Sequence, residues 1–259
     1  MVTVLFHFRR LRLPFEVQTA VQFPPSLSAN VFRGALGTRL PRQLFAPVQG
    51  EGGPSGLADP PRPFVLRART LDGQSFLAGD RFLLDIHLFA PVAGEIEQAF
   101  REAQPFHGAV RLTGTPLEEQ VAIDLQPESE CNQAQIEFLT PTELKHEDAL
   151  AMTPDFPILF ARAAARLRTL AQLYGEPLTL DFERLAVAAQ QVKMTDCQLV
   201  HEFAERRSSR TGKRHPLGGF TGMAYYEGAM GELLPVIRAA QFTGVGRQTV
   251  WGKGEILVK

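Results

Sequence analysis

Cysteine is nearly missing from this sequence of 259 residues: Cys131 and Cys197 are the only two. Two thiols cannot build a disulfide framework or a cysteine zinc cluster, so the fold must rest on an apolar core. Hydrophobic residues make up 44% and charged residues 21%, which suits a core-forming globular chain and excludes a disordered one. No apolar run reaches the roughly 18 residues of a membrane span. Residues 1–10 lack a basic segment followed by a long apolar core and a small-residue cleavage site. The expectation is a cytoplasmic protein with no membrane partner.

Lysine is scarce as well. The 27 basic residues divide into 22 arginines and 5 lysines, set against 28 acids for a net charge of -1. That balance does not advertise a nucleic-acid binder. Arginine does favour bidentate phosphate contacts and stacking, but a G- and C-rich genome enriches it too, so the distribution must decide. Metal chemistry has little to work with. The six histidines are scattered, and His201-Glu202 begins an H-E-x-x-H motif in which Glu205 stands where the second histidine belongs. No acidic cluster compensates, and the sequence predicts neither a metal site nor a cofactor.

The hydrophobic pattern is informative. Residues 3–14 alternate as a strand, with Val4, Phe6 and Phe8 on one face. Leu11 and Leu13 break that parity, which predicts a bulge. A helix is predicted over 29–45, a Gly- and Pro-rich loop over 46–63, strands over 64–69 and 79–89, a helix over 93–103, and one or two strands over 108–125. This is the β-α-β-β-α-β order of a ferredoxin-like unit. The second half repeats it: a strand at 135–139, helices at 155–174 and 180–190, strands at 193–203 and 218–226, a helix at 232–240 and a closing strand within 248–258. The chain therefore reads as α+β, two tandem ferredoxin-like (RRM-like) domains over 1–128 and 129–259.

Two segments could carry chemistry. Arg206, Arg207, Arg210, Lys213 and Arg214 lie close together with no acid among them and lead to His215. As an arm between two strands they could follow a nucleic-acid groove; as a charge run they could equally be a solvated loop. The second is the glycine-rich end, residues 242–256. It fails the phosphate-loop motif, because five residues separate Gly246 from Gly252 and Gly254 follows Lys253 where a hydroxyl side chain is required. It fails the dinucleotide motif at Thr249. Its glycines allow a tight turn, and such a turn can present backbone N–H groups to phosphates.

Phe32-Arg-Gly-Ala-Leu-Gly37 after a first strand, Phe138-Leu-Thr-Pro-Thr-Glu-Leu-Lys145, Arg207-Ser-Ser-Arg210 leading to Gly218-Gly-Phe-Thr-Gly222, and the end from Gly244 to Gly254 together resemble one family. It is that of the CRISPR-associated repeat-processing endoribonucleases of the RAMP superfamily, called Cas6. The resemblance covers essentially the whole chain, and the glycine-rich end is its most specific part. It implies two ferredoxin-like domains that bind the repeat hairpin of precursor CRISPR RNA. It also implies metal-free cleavage by attack of a 2′-hydroxyl, leaving a 2′,3′-cyclic phosphate. By the same resemblance Arg206, Arg207, Arg210, Lys213 and Arg214 contact the RNA stem, and Gly244, Gly246, Arg247 and Lys253 hold its backbone. The chain departs from the family where many members carry a catalytic histidine, because residues 30–45 contain none. Arg33 and Arg39 are then the candidates for stabilising the phosphorane, and His215 for acid or base. The alternative is a non-cleaving RNA-binding subunit of a CRISPR effector complex, whose other subunits would be its partners. An unrelated ferredoxin-like metabolic enzyme would lack a reason for the arm and the glycine-rich end.

Overall fold

The computed structural model describes residues 4–47, 60–128, 130–147, 149–202, 205–207, 214–216 and 218–259. The first unit comprises β1 (Leu5–Val17), α1 (Ala29–Leu36), α2 (Arg42–Phe45), β2 (Phe64–Arg67), β3 (Arg81–Leu88), α3 (Ala93–Glu102), β4 (Val110–Leu112) and β5 (Leu117–Asp124). Its sheet is antiparallel in the order β2-β3-β1, with β5 and then β4 along the other edge of β1. The second unit comprises β6 (Gln133–Thr142), α4 (Phe156–Tyr174), α5 (Phe182–Ala189), β7 (Lys193–Glu202), β8 (Glu205–Arg207), β9 (Arg214–Pro216), β10 (Gly219–Glu227), α6 (Leu234–Thr243) and β11 (Ile256–Val258). Its sheet runs β7-β10-β6-β11. Both units place their first strand between the third and the last, which is the ferredoxin-like arrangement.

The predicted bulge in the first strand is corrected. Pairing steps residue by residue from Leu5↔Asp124 to Arg12↔Leu117 on one side and from Arg9↔Leu88 to Glu16↔Arg81 on the other. The parity change is real but marks a change of partner layer. Phe6 and Phe8 are buried on one face, against the second unit, where Phe8 meets Phe242 at 5.2 Å between ring centroids. Leu11, Leu13, Phe15 and Val17 are buried on the other, where Phe15 packs on Phe32 of α1 and Phe100 of α3. One strand thus serves two cores, and each fully buried phenylalanine contributes about 1.5–3 kcal/mol.

The helix predicted over 29–45 is also two pieces. Proline lacks the N–H that the helix needs and pushes the residue before it out of the helical region. The chain accordingly turns after Leu36 and restarts behind Pro41. Leu40 is buried in the turn and Arg39 beside it is exposed. The closing strand is shorter than 248–258: only Ile256–Val258 pairs, with β6, and a 3₁₀ turn at Thr249–Trp251 precedes it. Of the predicted loop over 46–63, residues 48–59 lie outside those described.

Candidate nucleic-acid interface

The glycine-rich end follows α6 and lies between the two units. Gly246 has φ +80°, and a Cβ there would stand 2.2 Å from the Glu143 carbonyl oxygen. Gly254 has φ +69°, and its Cβ would stand 2.0 Å from the Val245 carbonyl oxygen. No L side chain fits either place. Because the backbone comes this close, loop amides bond inside the fold: Val245 N–H donates to Gly254, Arg247 N–H to Glu143 and Gly254 N–H to Pro141. Val250 reaches into the core of the first unit. Gly244, with φ +75°, ends α6.

Beneath this loop sits an ionic knot. The Glu143 carboxylate, 2% exposed, accepts from Lys253 Nζ at 2.8 Å and lies 3.3 Å from Arg247 Nη1. Lys253 Nζ also donates to the Gln248 side-chain oxygen at 3.0 Å and the Gly218 carbonyl at 2.5 Å. Burial pulls the ammonium below its ordinary pKa, and Glu143 partly restores it. The expectation that Lys253 holds RNA phosphates is therefore corrected. Its side chain is fully buried and ties the loop to Gly218, at the base of the arm.

A second set of buried basic side chains finishes α6. The last carbonyls of a helix have no partner within it and carry partial negative charge. Arg67 of β2 donates to the Gln241 and Phe242 carbonyls at 2.8 and 3.0 Å, His87 Nδ1 to Phe242 at 2.9 Å and Arg166 of α4 to Thr243 at 2.7 Å. Desolvation, reinforced by the Arg67 charge, holds His87 at a pKa of about 3, so the ring is neutral at neutral pH. Burial, together with Arg67 and Arg62 nearby, likewise lowers Arg166.

Between the loop and α4 opens a cleft of ≈ 480 Å³. Arg62, Lys145, Arg162, Arg166 and Arg247 line it, and no carboxylate does among the described residues. An apolar wall of Pro60, Pro61, Ala165, Val250 and Trp251 completes it. Like charges gathered around one concavity focus a positive potential that attracts a polyanion. Among the described residues no three His, Cys, Asp or Glu side chains form a metal-binding group.

Of the predicted residues, Arg247 lines the cleft and is about half exposed. Arg33 is not among the residues that line it; its guanidinium carbon lies 4.5 Å from the ring centroid of Trp251, which does line it, and 4.9 Å from that of Phe45. Arg39 lies in the exposed turn after α1. Arg206 pairs with His215 and Arg207 with Arg214 in the two-stranded arm β8-β9, while Arg210 and Lys213 lie outside the described residues. Sequence reasoning missed Arg62, Lys145, Arg162 and Arg166. The available signals were the spacing of Arg162 and Arg166, four apart on one helix face, and the place of Lys145 at the end of the Phe138–Lys145 motif.

Residues 136–256 match the model of the family described as CRISPR-associated endoribonuclease Cas6. No curated protein matches the sequence. Thermus thermophilus Cas6 (TTHB231) is 16% identical, with a TM-score of 0.58 and 100% of both chains covered. A Cas6 (TTHA0078) product complex is 17% identical at a TM-score of 0.62, covering 98% of this chain and 100% of that one. A partial Cas6-RT-Cas1–Cas2 complex is 14% identical at 0.57, covering 99% of this chain and 46% of that one. No helix among the described residues is long and apolar enough to cross a membrane. Over residues 136–256 this chain is similar to the family described as CRISPR-associated endoribonuclease Cas6, and over its whole length it shares the fold of those solved Cas6 structures.

Proposed function

We propose that this protein is a metal-independent endoribonuclease that binds the repeat hairpin of precursor CRISPR RNA and cuts it to release guide RNAs. The observation that carries the reading is the cleft of five cations and no carboxylate beside the glycine-rich loop, with the basic arm anchored next to it through Lys253 and Gly218. A-form RNA offers phosphates and 2′-hydroxyls more readily than base edges, and arginines suit both. The arm residues Arg206, Arg207, Arg210, Lys213 and Arg214 take the stem, and Arg247 takes a backbone phosphate.

In the reaction the 2′-oxygen forms a bond to the adjacent phosphorus and the bond to the 5′-oxygen breaks. The products are a 2′,3′-cyclic phosphate and a 5′-hydroxyl. The 2′-hydroxyl proton leaves to a base and the 5′-oxygen gains one from an acid; His215 is the candidate for either step. Arg33 and Arg39 stabilise the charge on the phosphorane. An arginine, charged at all working pH values, is a poor base. Because positioned acid–base catalysis is worth about 10²–10⁴-fold, turnover is slow. We place the domain boundary at 128/129 and the protein in the cytoplasm, with effector-complex subunits as further partners.

One observation favours a second reading, a non-cleaving RNA-binding subunit: residues 30–45 hold no histidine. Single-turnover cleavage of a matched repeat RNA in EDTA separates the two. Cleavage there, and none of a substrate with a 2′-deoxy nucleotide before the cut, is the expected result. Tight binding without cleavage of either RNA would establish the second reading.

A further inference from the structure

The basic arm stands outside the main sheet, so its direction is set at its root. β7 and β10 pair as far as Glu202↔Gly219. Beyond them β8 and β9 form a separate two-stranded ribbon, and such a ribbon is marginally stable by itself. The returning side of the root is pinned. Gly219, with φ +140°, lies so near Thr142 that a Cβ would stand 2.8 Å from that residue's backbone nitrogen and oxygen. Gly218, one residue nearer the arm, offers its carbonyl to Lys253 Nζ.

Lys253 is a three-way joint. An ammonium has three N–H donors, and this one has three partners: Glu143, which follows β6, Gln248 of the glycine-rich loop, and Gly218 at the root of the arm. No donor is left for a phosphate. The same Glu143 grips Arg247 twice, its carbonyl accepting the Arg247 N–H at 3.0 Å and its carboxylate lying 3.3 Å from Nη1. One buried residue therefore holds a side chain of the cleft and, through Lys253, the root of the arm. Stability alone does not call for this arrangement, because apolar side chains of similar volume often replace a buried ion pair without loss. What apolar contact cannot supply is direction: hydrogen bonds fix angles, and the hydrophobic effect does not.

We infer that Glu143 and Lys253 are positioning residues for RNA binding: their knot fixes the arm and Arg247 in one relation, so that both engage the same molecule at once. The two residues act through their neighbours and do not touch the RNA. The inference rests on the RNA-binding reading above and deepens it. Two contacts held at a matching span reinforce each other, and the gain is lost when geometry no longer lets both engage. Loosening the knot therefore removes phosphate contacts that other side chains make.

The test is the salt dependence with which the full chain binds a labelled repeat hairpin. Lys253→Met keeps the apolar stem and removes all three bonds. Glu143→Gln combined with Lys253→Met removes both buried charges together, and it decides if Lys253→Met alone does not fold. Urea unfolding establishes that the variant assayed is folded. The log–log slope of affinity against salt should flatten by at least about 1.4–1.8, two phosphate contacts at roughly 0.7–0.9 each. A change of about 0.7–0.9 would mean that a single phosphate contact, and not the arm, depends on the knot. An unchanged slope in a folded variant would mean that the knot serves the fold alone. Either result would overturn the inference and leave the RNA-binding reading intact, whereas a parent chain that bound no RNA would overturn both.

Discussion

The two units share a strand order but differ in what their buried and half-buried basic side chains meet. In the first, Arg67 and His87 point from the sheet into the end of α6 and bond to its carbonyls. The sheet face that carries them is closed by the second unit, with Phe8, His87 and Phe242 in mutual ring contact. In the second unit, Arg162 and Arg247 line an open cleft instead. A basic side chain that completes a helix end is held by the fold and serves stability, while one that faces a concavity is available to a ligand. Arg166 does both, capping Thr243 while lining the cleft, and so couples the helix end to the site.

That contrast can be broken most severely at the knot beneath the glycine-rich loop. Glu143→Ala leaves the buried Lys253 ammonium without its counter-charge, a change that costs about 3–5 kcal/mol. Urea unfolding should show the loss as a lower midpoint at unchanged slope, and a loss under 1 kcal/mol would mean the knot is incidental.

The helix-end contacts are tested next, by pH. His87 has a folded pKa of about 3 against about 6.5 when unfolded. Between those values the unfolded chain binds a proton that the folded chain refuses, so stability falls as pH falls through that window. From pH 6.5 to 5 the expected loss is about 2 kcal/mol, since each unit is worth about 1.4. His87→Gln should flatten that part of the profile, and an unaltered slope would remove His87 from the account.

The smallest effect on stability belongs to the cleft. Arg247→Ala should change the unfolding free energy by no more than about 0.5 kcal/mol, because the half-exposed pair with Glu143 contributes little. It should nevertheless flatten the salt dependence of RNA binding by about 0.7–0.9 in log–log slope, one phosphate contact. A slope equal to that of the parent chain would take Arg247 out of the interface.

Much of the fold was legible because strand and helix periods are local. Residues 93–103 and 155–174 read as helices, and the β-α-β-β-α-β order in each half follows from such segments. The site was legible in part. Arg247 and Arg33 stood out within motifs, but Lys253 was misassigned, since nothing in Lys253-Gly-Glu says that Glu143, 110 residues earlier, will bury it. The bulge predicted near Leu11 failed for a similar reason. A parity break in one strand has the same pattern whether the backbone slips or the partner layer changes.

By itself the sequence determined the two repeated units, the glycines that let the closing loop turn tightly, and the arginine-rich arm, all of which depend on neighbours close along the chain. Tertiary structure alone decided which cations cap α6 and which line the cleft. Lys145, Arg162 and Arg247, about 100 positions apart in the sequence, meet through the fold of the second unit, and its docking on the first adds Arg62 to the same cleft. Charge at a site depends on distance in space, which the order of residues does not contain.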